Sequence, residues 1–110
     1  KREGERLLNY EQIHFDITEL YARKIRQQLS SISLDKETFR KNFNSLCFNL
    51  IQEMNAFEAL YDEEMANSPF STEIETKWAK QINKELSKLE QFKEPEVHIS
   101  FAKPSPVFKP

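Results

Sequence analysis

Glu11 and His14 lie three positions apart, a spacing that brings a carboxylate and an imidazole onto one face of a helix. Di-iron and di-manganese bundles use this Glu-x-x-His pair, but they need a second copy of it and two further glutamates. The only other histidine, His98, has no glutamate three positions before it. His14 falls between Tyr10 and Ile17 on an apolar helix face. We therefore expect a buried polar residue with a hydrogen-bond partner, or a pH-sensitive contact, and predict no metal and no cofactor.

Cys47 is the single cysteine, and apolar residues surround it in the sequence. Such surroundings raise the pKa of a thiol and make it unreactive, so we expect a packing role for this side chain. With one glycine, Gly4, the chain lacks the loops that cradle phosphates or dinucleotides, and no serine stands in a nucleophile-elbow context. The sequence thus predicts a protein that is not an enzyme. A lone cysteine also favours a reducing, intracellular and cytoplasmic setting.

Three stretches repeat apolar residues at helical spacing, and they predict helices over about 5–32, 36–66 and 73–92. Asp35 is the expected N-cap of the second helix, with Leu34 packed on Phe39. The run from Thr72 to Glu75 matches a capping box at the start of the third, and Pro95 ends it.

Short connections between these helices predict an all-α fold, an antiparallel three-helix bundle or coiled coil over residues 1–95. The second helix has the broad apolar face expected of the middle element, and Trp78 falls at the centre of the apolar face of the third. Residues 96–110 are predicted to form an extended, proline-containing arm or linker, because Pro104, Pro106 and Pro110 forbid a helix.

Apolar residues outside the main helix faces predict an interaction surface, because large exposed apolar patches mark interfaces. On the first helix they lie to both sides of the main face, and the second helix adds one more; the set is Leu8, Ile13, Phe15, Leu20 and Phe48.

Charge placement predicts a second surface, because an up-down-up bundle brings the first loop and the end of the third helix to one pole. The expected basic pole consists of Arg23, Lys24, Arg26, Arg40, Lys41, Lys84 and Lys88. A run of three acidic residues, Asp62 to Glu64, opposes the dipole of the second helix at its end, so this end is expected to fray or to meet basic groups.

The arm has two possible roles as a peptide ligand. Val97, Ile99 and Phe101 alternate with polar residues and could add as a strand to a sheet edge. Ser105 precedes Pro106, which suits a proline-directed phosphorylation site. A plain linker, or an arm packed on the bundle, is the simpler interpretation.

We therefore expect a helical domain excised from a larger intracellular protein and acting as a protein interaction or self-assembly module, most simply a homo-oligomer. The alternative is a binding module whose basic pole engages an anionic surface, either phosphoinositide membrane or nucleic acid. Nucleic acid fits poorly, because the chain has 18 acidic and 16 basic residues and a net charge of −2. No small-molecule substrate is predicted.

Overall fold

The computed structural model describes residues 2–31, 36–68 and 71–96. In these ranges the chain forms three α-helices and a 3-10 turn: α1 Arg2–Ser31, α2 Lys36–Asn67, α3 Thr72–Lys88 and the turn Glu90–Phe92. The same ranges contain no strand, so the all-α prediction is confirmed. No described helix has both the length and the apolar character needed to cross a membrane.

The predicted helix bounds agree closely with α1 and α2, and α3 differs at both ends. Ser71 is the N-cap of α3, and its Oγ accepts the backbone N–H of Ile74 at 3.1 Å. The capping box predicted from Thr72 is therefore wrong by one residue. At the other end the backbone of Leu89 leaves helical geometry, and the last predicted turn tightens into the 3-10 turn.

Several predictions fall on residues outside the described part of the chain. They are the Asp35 cap, the Leu34 contact and the extended arm, including Val97, Ile99, Phe101 and Ser105.

The direction of the helices follows from the order of their contacts. Tyr10 and His14 near the start of α1 bond to Asp62 near the end of α2, and Tyr21 packs on Phe57, so α1 and α2 run in opposite directions. Further along α1, Arg23 donates to the backbone oxygen of Leu86 at 2.9 Å. Arg26 donates to that of Phe92 at 2.6 Å, so residue numbers rise together along α1 and α3.

The middle element is α1, which packs against both other helices, while α2 and α3 touch at fewer positions. The expectation that the second helix would be central is therefore wrong. The physical reason is that α1 buries apolar side chains over a wider arc. Ile13 borders a concavity shared with α3, and Tyr21 packs on α2.

The core is closed by an aromatic cluster between the end of α2 and the start of α3. The ring of Trp78 lies 5.0 Å from that of Phe57 and 5.2 Å from that of Tyr61. Trp78 is buried, as predicted, and its Nε1 donates to Glu64 Oε2 at 3.0 Å. Ile17, Leu20 and Ile82 complete the most buried layer.

Replacing Tyr61 by phenylalanine should leave stability unchanged or raise it. The hydroxyl of Tyr61 is buried and has no hydrogen-bond partner among the described residues, and burial raises its pKa. An unsatisfied buried hydroxyl costs free energy, so removing it should increase the free energy of unfolding by about 0–2 kcal/mol. Urea denaturation of both proteins measures the difference. A loss of more than about 1 kcal/mol would show that the hydroxyl is bonded in solution.

Candidate functional site

His14 joins α1 to α2 through both ring nitrogens. Nδ1 lies 2.8 Å from Glu58 Oε2, and Nε2 lies 2.8 Å from Asp62 Oδ1. The hydroxyl of Tyr10 donates to the same oxygen of Asp62. The imidazole ring packs edge-on against Tyr10 at 4.7 Å and Tyr61 at 5.4 Å. We call these five residues the His14 cluster. The hydrogen bonding expected of His14 from the sequence is thus confirmed, but the residue is half-buried rather than buried.

The acidic and aromatic neighbours change the pKa values in the cluster. Burial lowers the pKa of His14. The hydrogen bonds to Glu58 and Asp62 together raise this pKa by more than burial lowers it, so the net shift is upward. Burial raises the pKa of Asp62, but the bonds from Tyr10 and His14 lower it more, so the net shift is downward. The bond to Asp62, together with burial, raises the pKa of Tyr10 to about 12.

Glu11, which first drew attention to His14, lies outside the cluster and is exposed. The carboxylates that contact the imidazole come from α2 instead. Within residues 2–31, 36–68 and 71–96, no group of three or more His, Cys, Asp or Glu side chains could hold a metal ion. The cluster itself shows charge pairing between His14 and two carboxylates, with a hydroxyl donor beside them.

The five apolar residues predicted to form an interface divide into two sets. Leu8, Phe15 and Phe48 are 70%, 68% and 63% exposed, as an interface requires. Ile13 and Leu20 are only 4% and 2% exposed, so their assignment to a free surface is wrong. The physical reason is that α3 packs on that side of α1, and both side chains belong to the core.

Two further exposed apolar residues were not predicted. Ile51 is 45% exposed, and Leu60 is 55% exposed. The sequence did contain a signal for Ile51, because it follows Phe48 by three positions and so shares its side of α2.

Leu8 and Phe15 border an open concavity on the outer side of α1. Its volume is about 440 Å³, and its other lining residues are Glu11, Gln12, His14 and Thr18. Leu8 and Phe15 are seven positions apart, about two helical turns, and therefore lie on the same face of α1. We call this surface the α1 concavity.

The predicted basic pole is only partly free to bind a partner. Arg23 and Arg26 are mostly buried, and both bind the Glu19 carboxylate besides backbone oxygens in α3 and in the 3-10 turn that follows it. Lys24 Nζ lies 4.5 Å from the centre of the Tyr21 ring, and Lys88 pairs with Glu85 at 3.1 Å. Arg23 and Arg26 thus stabilise the packing of the bundle and are not free to bind a partner.

The five lysine and arginine residues of the pole other than Arg23 and Arg26 are spread out, and all but the half-buried Lys24 are exposed. Lys88 and Lys24 line one concavity with Leu50. Arg40 precedes Leu50 by ten positions on α2, about 15 Å along the helix axis, and Lys41 follows Arg40. Lys84 lies on the outer side of α3 beside Lys80. The structure therefore brings Lys24 and Lys88 together and leaves Arg40 and Lys41 about three turns away.

The acidic end of α2 has partners within the chain. Asp62 belongs to the His14 cluster, and Glu64 binds Lys77 Nζ at 3.1 Å as well as the indole of Trp78. These bonds offset the unfavourable interaction with the helix dipole, so α2 extends to Asn67.

Cys47 is half-buried on the same helix, so the expected burial of this side chain in the core is only partly met.

Comparisons of the chain with protein-family models, with curated proteins and with solved structures found no match. The α1 concavity has exposed apolar surface, the His14 cluster pairs an imidazole with two carboxylates, and His14 belongs to both.

Proposed function

We propose that this chain is a non-catalytic self-association module whose partner is a second copy of itself. The observation that carries the proposal is the exposed pair Leu8 and Phe15 on the outer side of α1. Large apolar side chains that share one helix face and stay exposed to water are typical of an interaction surface.

A second copy suits this pair because the pair can complement itself. If two α1 helices meet antiparallel across a two-fold axis between positions 8 and 15, each Leu8 faces the Phe15 of the other copy. The small net charge of −2 adds little repulsion between copies. Both conditions favour a symmetric dimer.

The size of the surface sets the expected affinity. Burying one leucine or phenylalanine side chain stabilises by about 1.5–3 kcal/mol, and a two-fold contact buries two of each. Association itself costs about 4–15 kcal/mol in lost freedom of motion. The two terms are of similar size, so we expect a weak, concentration-dependent dimer.

The alternative, in which basic residues bind an anionic lipid or nucleic acid, has less support. It depends on Arg23 and Arg26, which already bind a carboxylate and backbone oxygens of the chain. The single cysteine supports an intracellular, cytoplasmic location as part of the same proposal.

Light scattering across a range of protein concentrations tests self-association. The wild-type mass should rise above the monomer value of 13.1 kDa with concentration, because apolar burial drives dimerisation. Phe15→Asp should remain at the monomer mass, because aspartate at an apolar contact loses its hydration. Its circular dichroism should match that of the wild type, because Phe15 is exposed in the monomer.

Two control variants make this result specific. Gln81→Asp adds the same charge at an exposed position of α3 and should associate like the wild type. Phe48→Asp removes the exposed phenylalanine of α2 and should also still associate. A wild type that stays monomeric throughout contradicts the proposal. So does a series in which Phe48→Asp, and not Phe15→Asp, prevents association.

A further inference from the structure

We propose that His14 is a pH-sensitive clamp between α1 and α2, which holds Glu58 and Asp62 together as an imidazolium and releases one of them when it loses a proton. Each ring nitrogen lies 2.8 Å from a carboxylate oxygen of α2. An imidazole can donate from both nitrogens only in its protonated form. The geometry therefore fits the charged ring.

Loss of the proton changes one of these contacts from attraction to repulsion. Neutral imidazole keeps a single N–H, and its other nitrogen then directs a lone pair at a carboxylate oxygen. The two carboxylates also lose the positive charge between them, in a site where the His14 side chain is only 22% exposed. We expect one carboxylate to turn away and take its hydrogen bonds from water.

The other groups around the ring do not compete for this proton near neutral pH. From α1, Tyr10 contacts the ring and stays protonated, since its pKa is raised to about 12. From α2, Tyr61 contacts the ring, and its pKa is also raised. From α3, the charged group acting on the cluster is Glu75, whose charge affects Tyr61. Near pH 7 the change in charge thus belongs to His14.

The directions of the shifts define the pH range in which the clamp stabilises the fold. The pKa of His14 is raised in the folded protein, so its contribution is complete below the ordinary value of 6.5 and is lost as pH rises through the raised value. The pKa of Asp62 is lowered, so its contribution is present above 3.8 and is lost as pH falls through the lowered value. The clamp is therefore fully closed between pH 3.8 and pH 6.5, the ordinary pKa values of an aspartate and a histidine.

The clamp acts on the first half of α1. Among the described side chains of this half of the helix, His14 and Tyr10 are the ones that hydrogen-bond to α2. Opening the clamp should therefore loosen the start of α1 first, while the core contacts of Ile17 and Leu20 hold the rest. This inference does not depend on self-association.

Thermal unfolding as a function of pH tests the clamp, at a concentration where the protein is monomeric. The wild-type Tm should fall by several degrees between about pH 6 and about pH 9, as His14 loses its proton. His14→Gln should unfold at a lower temperature at about pH 6 and should lack this fall. His98→Gln removes the other histidine and should keep the wild-type fall.

NMR titration of His14 in the wild type supplies a measurement that does not require a variant to fold. Its pKa should lie above 6.5, and Glu58→Gln should lower it by removing one carboxylate. A pKa of His14 at or below 6.5 would overturn the proposal. A His14→Gln protein with the full wild-type fall in Tm would overturn it too.

Discussion

Leu20→Asp should unfold the protein at room temperature, whereas Phe15→Asp should not. Leu20 and Phe15 lie on the same helix, five residues apart. Leu20 is 2% exposed, whereas Phe15 is 68% exposed. Leu20 belongs to the core cluster with Ile17, Tyr21 and Ile82. An aspartate at this position would place a charge, or a protonated acid with a strongly raised pKa, among apolar side chains.

The expected loss is a large part of the total stability. Removing the buried leucine forfeits about 1.5–3 kcal/mol of apolar burial. Burying the acid without a partner adds several kcal/mol more, in a domain whose free energy of unfolding is expected to be about 5–15 kcal/mol. Circular dichroism should show loss of helix for Leu20→Asp and a helical spectrum for Phe15→Asp.

Leu20→Ala provides a milder version of the same test. It removes volume without adding charge and should lower the free energy of unfolding by about 2–5 kcal/mol while keeping the fold. Urea denaturation measures this change. If Leu20→Asp unfolds with the wild-type midpoint, Leu20 is not part of the core.

Trp78→Ala should destabilise the protein by about 3–5 kcal/mol, the usual cost of truncating a buried tryptophan. Its ring packs on Phe57 and Tyr61, and its N–H binds Glu64. Among the described residues α2 and α3 touch at few positions, and this buried side chain is one of the contacts that join them. We expect α3 to separate from α2 in the variant, and urea denaturation followed by circular dichroism to show a lower midpoint.

Trp78→Phe separates packing from hydrogen bonding at this position. Phenylalanine retains most of the aromatic contact and loses the N–H that Glu64 accepts. Trp78→Phe should therefore lower the free energy of unfolding by less than half as much as Trp78→Ala does. A Trp78→Ala protein within about 1 kcal/mol of the wild type would show that the packing of the indole contributes little to the stability of the fold.

The helices themselves were predictable because their signals are local. In α2, apolar residues recur every three or four positions from Phe39 to Met65, and the predicted range of about 36–66 differs from the observed helix by one residue. The cap of α3 was harder to predict, because Ser71 and Thr72 both have a hydroxyl that can accept from the first turn.

The partners of His14 could not be predicted from their spacing. Glu58 and Asp62 are 44 and 48 positions away along the chain. They meet the imidazole only because α1 and α2 pack antiparallel in one particular register. The sequence contains other acids on α2, and nothing local distinguishes these two from Glu53 or Glu63.

The sequence by itself determined where the helices lie, that Leu8, Phe15 and Phe48 fall outside the main apolar faces, and that His14 lies on one of those faces. Only the tertiary structure decided that α1 is the central helix and that Ile13 and Leu20 are covered while Phe15 is not. It also decided that Arg23 binds the backbone of α3 and that Arg26 binds the backbone of the 3-10 turn after it. The physical reason is that helix formation depends on neighbours within four residues, whereas the face that becomes buried depends on which distant helix packs against it.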